Sequence, residues 1–274
     1  MSLKLMYITN DVTIAQIAQK AGVDWIFIDL EIKGKLERQK NMDTVISMHS
    51  ISDILPIRNV LNQSKLLVRI NPINEDSEQE IEKVISSRAD IIMLPFFKTK
   101  EEVETFIKFV NNRAQTCLLL ETPEAVDNID DILSLNGIDF IHIGLNDLHL
   151  AYKKKFMFEL LADGTVEYIV NKLKDKNIEY GFGGIARLSD GLLPSEYIIA
   201  EHYRLGSSMA ILSRTFFNQK NINSYNSAYD VFINEVKKIR VFESTLNSKN
   251  IDFFIDNKQN VAAKVNEIIQ IIKG

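Results

Sequence analysis

The sequence predicts a single (β/α)8 barrel, a TIM barrel, followed by additional C-terminal helices. Eight short apolar runs recur along the chain, and most are near-continuously apolar, which is typical of parallel strands covered on both faces. Segments with helical spacing lie between most of them, without a linker rich in Pro, Gly or Ser. We therefore expect one domain over residues 1–274, with the barrel at about 1–219 and a helical extension at about 220–274.

The predicted strands are short runs rich in Ile, Val, Leu and Phe, residues that favour strands. In chain order they are KLMYIT (4–9), WIFIDL (25–30), LLVRI (66–70), IIMLPF (91–96), CLLLE (117–121), FIHIG (140–144), IEYGFG (178–183) and YRLGSS (203–208).

Two of the predicted helices have clear start signals. Thr99 precedes one of them with Glu102 three residues later, which is the pattern of a capping box. Thr122 followed by Pro123 is an N-cap with proline at the first helical position. Other helices are expected to start near Asp11, Ser52, Asp76, Thr165 and Leu193.

The C-terminal extension is expected to form two helices with regular apolar faces. The apolar positions are Val231, Phe232, Val236 and Ile239 in the first helix, and Val261, Val265, Ile268, Ile269 and Ile272 in the second. One helix suffices to close a barrel. The second is expected to pack on the barrel or on another subunit, and we therefore predict self-association.

Composition and charge indicate which kinds of partner the protein binds. The chain has 46% hydrophobic and 25% charged residues, which describes an ordinary globular protein with a sizeable core. Its formal net charge of −5 argues against a nucleic-acid or anionic-membrane surface and favours a small-molecule substrate. The single cysteine, Cys117, lies in an apolar run and is expected to be a buried thiol. Without a secretory-type segment or an apolar run of roughly 20 residues, we expect a cytoplasmic protein.

Carboxylates follow several predicted strands, at the end of a barrel where active sites lie. Asp29 and Glu31 follow the second strand, Glu121 closes the fifth and Asp147 follows the sixth. Acidic groups brought together need a cation or shared protons, and carboxylate oxygens with water suit Mg2+ or Mn2+. The alternative is that Glu121 caps its own helix and Asp147 begins the next loop.

Arg69 closes the third predicted strand and adds a fixed cation. Its planar guanidinium is suited to a carboxylate or an enolate oxygen of a substrate. The alternative is a structural salt bridge with Asp29 or Glu31, and the two roles are compatible.

The remaining candidates are polar or flexible residues near the same face. Gly183 and Gly184 follow the seventh predicted strand, and Ser207 and Ser208 the eighth; these turns either bind an anion through backbone N–H groups or provide bends for packing. His149 is a candidate acid or base, whereas His142 is expected to be structural. Lys33, Lys35 and Arg38 either contact an anionic substrate or form a solvated charge run.

Five stretches, in order, resemble the HpcH/HpaI aldolase and citrate lyase β-subunit superfamily. They are AGVDWIFIDLE (21–31), LLVRINP (66–72), ADIIMLPFFKTKEEV (89–103), LLLETPEAVDNIDDIL (118–133) and GIDFIHIGLNDL (137–148). The resemblance implies that Glu121 and Asp147 are the protein ligands of Mg2+ or Mn2+, which also binds a 2-oxoacid. It further implies that Arg69 stabilises an enolate oxygen, that Asp29 and Glu31 orient Arg69 or water, and that the protein is a homo-oligomer, a trimer or a hexamer.

The sequence departs from this family pattern at two places. Ile32 occupies the position where family aldolases carry a histidine and citrate lyase-like members an aspartate. The motif GLNDL replaces the usual GPADL, which places Leu145 and Asn146, with Gly183 and Gly184, beside the expected substrate.

The resemblance implies a metal-dependent carbon–carbon lyase or aldolase acting on a 2-oxoacid. The alternatives are a related lyase with a CoA-linked (acyl thioester) or phosphorylated substrate, and a non-catalytic binding protein.

Overall fold

The computed structural model describes residues 2–33, 48–213, 215–217 and 225–273, in which eight parallel strands close into a barrel. The strands are β1 (Lys4–Ile8), β2 (Trp25–Asp29), β3 (Lys65–Arg69), β4 (Ile91–Leu94), β5 (Gln115–Leu120), β6 (Phe140–Ile143), β7 (Glu179–Ile185) and β8 (Met209–Leu212). Neighbours pair in sequence order, and β8 completes the ring by placing Met209 beside Lys4 of β1. The predicted TIM barrel is confirmed.

Helices alternate with the strands along the described chain. They are α1 (Val12–Lys20), α2 (Ile54–Val60), α3 (Ser77–Ser86), α4 (Lys100–Val110), α5 (Pro123–Asp127), α6 (Ile129–Ile132), α7 (Leu145–Ala151), α8 (Glu159–Ala162), α9 (Thr165–Lys174), α10 (Ser195–Leu205), α11 (Tyr225–Leu246) and α12 (Ile251–Lys273). Within the described ranges, none of these helices combines the length and apolar character needed to cross a membrane.

The start signals act locally, as the sequence predicts. Thr99 Oγ1 accepts a hydrogen bond from the Glu102 amide at 3.3 Å, while Glu102 Oε2 accepts one from the Thr99 amide at 3.0 Å. Thr122 Oγ1 accepts from the Ala125 amide at 3.1 Å, and Pro123 is the first residue of α5. These side chains satisfy amides that a helix leaves unpaired at its N-terminus.

The barrel has one apolar layer inside the strands and another between the strands and the helices, because successive side chains of a strand point to opposite faces. Ile26, Ile28, Leu66 and Val68 are among those that face the helices. The inward-facing cluster fills the barrel with Met6, Trp25, Phe27, Leu67, Ile91, Met93, Cys117, Leu119, Phe140 and Met209. Cys117 is buried there, as predicted, and its burial raises the pKa of its thiol.

The eighth strand lies later in the sequence than predicted. Residues 203–205 belong to α10, which ends at Gly206 in the left-handed region with φ +75°, and β8 begins only at Met209. The LGSS stretch is therefore a glycine helix terminus. Ser208 accepts a backbone hydrogen bond from Lys4 at the start of β1, so Ser207 and Ser208 lie at the end of the barrel opposite to the one predicted. Their predicted place after the eighth strand is wrong.

His202 of α10 is buried between the helix and the sheet. Its ring stacks on Phe182 with centroids 3.8 Å apart, and Nδ1 lies 2.7 Å from Ser207 Oγ. Burial, together with the nearby His142, lowers the pKa of His202 to about 3.

His202 is expected to make folding sensitive to acid. The unfolded side chain has a pKa near 6.5, so the unfolded state binds the proton first, and stability present above that pH is lost as the pH falls towards 3. From pH 7 to pH 5, we expect the wild-type free energy of unfolding to fall by about 2 kcal/mol more than that of His202→Gln. Urea unfolding of both proteins measures the difference. Parallel pH dependences would contradict this expectation.

The C-terminal helices pack on the barrel. α11 lies against α1, and α12 lies against α10 and α8. Asn257 of α12 is buried and donates to Glu201 Oε1 of α10 at 2.9 Å. Val261 and Val265 are buried as predicted, whereas Ile272, in the last turn of α12, is 45% exposed. The predicted junction between barrel and extension, near residue 220, lies outside the described residues.

Candidate active site

A cavity of about 480 Å³ opens at the C-terminal ends of the strands. The polar residues at its inner end come from three strands, β3, β5 and β6, and the segments that directly follow them: Arg69, Glu121, His142, Asn146 and Asp147. The parallel barrel brings these side chains to one face, as the sequence predicts for all of them except His142.

Glu121 is fully enclosed at the end of β5. Its Oε1 accepts a hydrogen bond from the Phe96 amide at 3.2 Å, and Phe96 holds a left-handed φ of +52° that is unfavourable for a bulky residue. On its other side, a Cβ at Gly144 would lie 2.7 Å from Glu121 Oε2. Gly144 therefore leaves the space that this carboxylate occupies.

The carboxyl groups of Glu121 and Asp147 interact directly. Burial raises the pKa of Glu121 well above its usual range, and Asp147 raises it further, whereas Arg69 acts in the opposite direction. Among the described residues, no group of three or more His, Cys, Asp or Glu side chains is arranged around a metal position. The pair supplies carboxylate oxygens, which are ligands that a hard divalent ion prefers. Water or substrate oxygens would complete the coordination of the ion. The chemistry of the pair fits Mg2+ or Mn2+.

Arg69 forms a buried ion cluster with the two carboxylates after β2. Its Nε and Nη2 donate to the two oxygens of Asp29, each at 2.8 Å, and Nη1 lies 3.3 Å from Glu31 Oε2. Burial alone lowers the pKa of Arg69, but Asp29 and Glu31 outweigh it and the net shift is upward. Three of the five guanidinium N–H groups face these carboxylates, which leaves two for a ligand in the cavity.

The predicted substrate-contacting residues all line the cavity. Leu145 and Asn146 begin α7, and Gly183 and Gly184 form the end of β7. Gly183 adopts φ +55°, and a Cβ there would lie 2.7 Å from Leu145 Cδ1. A side chain at Gly183 would therefore close the space between β7 and α7.

His149 does not join the cavity lining. It is buried in the last turn of α7, where its Nδ1 lies 3.1 Å from the Leu145 carbonyl oxygen of the preceding turn. Asp29 and Glu31 also lie behind Arg69 rather than in the lining. The role of His149 as an acid or base stays a prediction, and this geometry gives it no support.

The loop after Glu31 is described only in its first residues. Ile32 is half exposed, and its amide donates to Asn71 Oδ1 at 2.9 Å. Lys33 pairs with Asp76 at 2.7 Å on the surface, which favours the solvated alternative for this residue. Lys35 and Arg38 lie outside the described residues.

His142 lines the cavity, although the sequence alone predicts a purely structural role for it. Its Nε2 donates to the Gly183 carbonyl oxygen at 3.1 Å, and burial lowers its pKa to about 4, so the ring is neutral near pH 7. Nδ1 is then an acceptor, and among the described residues it has no hydrogen-bond partner. The sequence signal for this position is the alternation of side chains along β6, which puts His142 on the same inward face as Phe140.

Known structures resemble this fold over most of the chain. A HpcH/HpaI aldolase/citrate lyase family protein from Burkholderia cenocepacia J2315 superposes with a TM-score of 0.61 and 12% identity, covering 77% of this chain and 88% of that one. The HpcH/HpaI aldolase from Desulfitobacterium hafniense DCB-2 gives 0.58 and 16%, with 77% and 86% covered. The citrate synthase SbnG gives 0.58 and 17%, with 77% and 85% covered. At such identities, the likeness concerns the fold alone.

Sequence comparison places the chain more narrowly. No curated protein matches it. The model of the family described as HpcH/HpaI aldolase/citrate lyase matches residues 4–162, which is more than half of the 274 residues. The matched segment includes β1 to β6 and with them Arg69, Glu121 and Asp147. The chain therefore belongs to the HpcH/HpaI aldolase/citrate lyase family.

Proposed function

We propose that the chain is a divalent-metal-dependent carbon–carbon lyase or aldolase acting on a 2-oxoacid through a pyruvate-type enolate. One observation carries the proposal: in the described part of the chain, a connected group of four carboxylates contains only one guanidinium, that of Arg69. Asp29, Glu31 and Glu121 act on Arg69, and Asp147 interacts with Glu121. Ionised, they leave three negative charges uncompensated within this group. Like charges held together in a buried site require a cation or bound protons.

Mg2+ or Mn2+ held by Glu121 and Asp147 would offset two of these charges. The bound ion would supply a Lewis acid that draws electron density from the keto oxygen of the substrate. The affinity for the metal ion is expected to decrease as the pH is lowered. Burial raises the pKa of Glu121, so protons compete with the ion for the same oxygens.

Arg69 is proposed to bind the oxygen on which negative charge develops. Asp29 holds the guanidinium plane through two hydrogen bonds of 2.8 Å, and the remaining N–H groups are available to the cavity. Fixed donors of this kind stabilise developing charge without reorganising during the reaction. Asp29 and Glu31 are therefore positioning residues for Arg69.

Exchange of the pyruvate methyl protons in D2O tests the proposed enolate chemistry. We expect loss of the methyl NMR signal in the presence of protein with Mg2+ or Mn2+, and none beyond the uncatalysed rate when a chelator removes the ion. Neither measurement depends on knowing the natural substrate. Absence of exchange with any simple 2-oxoacid, together with absence of Mn2+ binding in calorimetry, would refute the proposal.

We also propose that the protein is a homo-oligomer, a trimer or a hexamer. The support is that α12 carries Ile251, Ile255 and Ile271, which are 68%, 46% and 77% exposed although the helix already packs on the barrel. Exposed apolar side chains of this size favour burial against another surface. A monomeric mass by light scattering would contradict this proposal.

A further inference from the structure

The outer part of the cavity has an apolar wall. Its volume of about 480 Å³ lies within the roughly 300–1,000 Å³ of pockets that bury ligands much larger than a three-carbon acid. The apolar side chains come from the start of α7, from the segment before α8 and from the loop before α10: Leu145, Phe156, Met157, Phe158, Leu192 and Leu193.

This wall is continuous with the carboxylate pair. Gly144 packs against the Glu121 carboxylate, and the next residue is Leu145. An ideal Cβ at Gly183 would lie 2.7 Å from Leu145 Cδ1 and 3.9 Å from Phe158 Cε1, so the wall reaches the end of β7. A substituent on a 2-oxoacid bound at the carboxylates would extend along these side chains.

Two of the three segments that form the wall are fixed by glutamates. Glu159 Oε1 accepts hydrogen bonds from the amides of Lys155 and Phe156 at 2.7 and 2.9 Å. Glu196 accepts from the amide and the hydroxyl of Ser189, both at 2.9 Å, at the start of the loop that carries Leu192. A wall that is already ordered costs little conformational entropy when a ligand binds.

We infer that the substrate carries an alkyl or aryl group beyond its 2-oxoacid part, and this inference rests on the function proposed above. The corresponding reaction is cleavage of a 4-hydroxy-2-oxoacid with an apolar substituent at C4. The hydroxyl proton leaves, the C3–C4 bond breaks, and its electron pair stays with C3 as the pyruvate enolate. A proton then adds to C3, so the products are pyruvate and an apolar aldehyde with no net gain or loss of protons.

Chain length is the variable that tests this inference. We expect kcat/KM for Mg2+-dependent cleavage to rise about fourfold for each methylene added between 4-hydroxy-2-oxohexanoate and 4-hydroxy-2-oxooctanoate. A diacid probe with the eight-carbon chain, 4-hydroxy-2-oxooctanedioate, is expected to react more slowly than the octanoate, because its terminal carboxylate would be desolvated against the apolar wall.

A matched pair of variants locates the effect. Leu192 is 69% exposed at the cavity mouth, and Leu192→Ser is expected to reduce the octanoate-to-hexanoate ratio about threefold. Val241 is 58% exposed on α11, outside the cavity lining, and Val241→Ser is expected to leave the ratio unchanged.

The outcomes separate this inference from the proposed function. Metal-dependent exchange of pyruvate protons with no rise in kcat/KM on chain lengthening, or with preference for the diacid, would overturn the inference alone. Equal effects of Leu192→Ser and Val241→Ser would also overturn it, because the preference would then not arise at the wall. Absence of both exchange and cleavage would overturn the proposed function and this inference together.

Discussion

Glu121→Gln is expected to lower the rate of metal-dependent pyruvate proton exchange by roughly 10²–10³-fold. A bound ion stabilises developing charge by several kcal/mol, and each 1.36 kcal/mol corresponds to a factor of ten. Glutamine has nearly the same size as glutamate, and its carbonyl oxygen can still accept the hydrogen bond from the Phe96 amide. The substitution therefore removes the charge that the ion needs while retaining the local packing.

Stability provides a second measurement for the same variant. Because burial and Asp147 raise the pKa of Glu121, its ionised form is unfavourable in the folded protein, and stability is lost as the pH rises through that pKa. In the presence of a chelator near pH 8, Glu121→Gln is thus expected to unfold at a higher temperature than the wild type, while its Mn2+ affinity is lower. A role limited to structure would predict destabilisation instead.

Glu124→Gln is the matched control. Glu124 lies three residues later at the start of α5, where its half-exposed side chain pairs with Lys98 at 2.9 Å on the surface. We expect this variant to retain wild-type exchange and Mn2+ affinity. Equal losses in Glu124→Gln and Glu121→Gln would contradict the assignment of Glu121 as a metal ligand.

Local chemistry explains how much of this fold could be predicted from the sequence. Thr99 and Thr122 cap helices through residues at most three positions away, so their signals are complete in a short stretch. Near-continuous apolar runs placed seven strands correctly, and a parallel barrel then requires Arg69, Glu121 and Asp147 to share one face.

The features that sequence reasoning missed depend on tertiary contacts or on competing local signals. The sequence predicts a strand over 203–208, but Leu205 belongs to the buried face of α10, and Gly206 ends that helix. Phe96 adopts its left-handed conformation where its amide bonds Glu121, 25 residues away. The apolar cavity wall combines residues 156–158 with residues 192–193, which no sequence spacing relates.

Arg69→Lys is expected to lower the exchange rate by about 10²–10³-fold at saturating metal, the usual cost of losing a donor to a developing oxyanion. Lysine keeps the positive charge opposite Asp29 and Glu31 but cannot make the paired Nε and Nη2 hydrogen bonds of 2.8 Å. Its ammonium has three N–H groups, so pairing with both carboxylates leaves fewer for the substrate than the guanidinium retains.

Metal affinity distinguishes this variant from Glu121→Gln. Arg69 is bonded to Asp29 and Glu31, not to the proposed metal ligands, so Mn2+ binding to Arg69→Lys is expected to remain within a few-fold of the wild type while the rate falls. Arg58→Lys is the control, since Arg58 pairs with Asp90 at 2.8 Å beside the start of β4, at the opposite end of the barrel. It is expected to retain full exchange.

The same comparison separates a catalytic from a purely structural Arg69. Removing one partner from a buried ion cluster typically destabilises a protein by about 3–5 kcal/mol, and lysine avoids most of that cost because it leaves neither carboxylate without a cation. A structural role therefore predicts that folded Arg69→Lys exchanges pyruvate protons at the wild-type rate. If instead the rate falls while folding and Mn2+ affinity persist, the guanidinium of Arg69 acts on the substrate, because the substitution keeps the positive charge and leaves the metal site occupied.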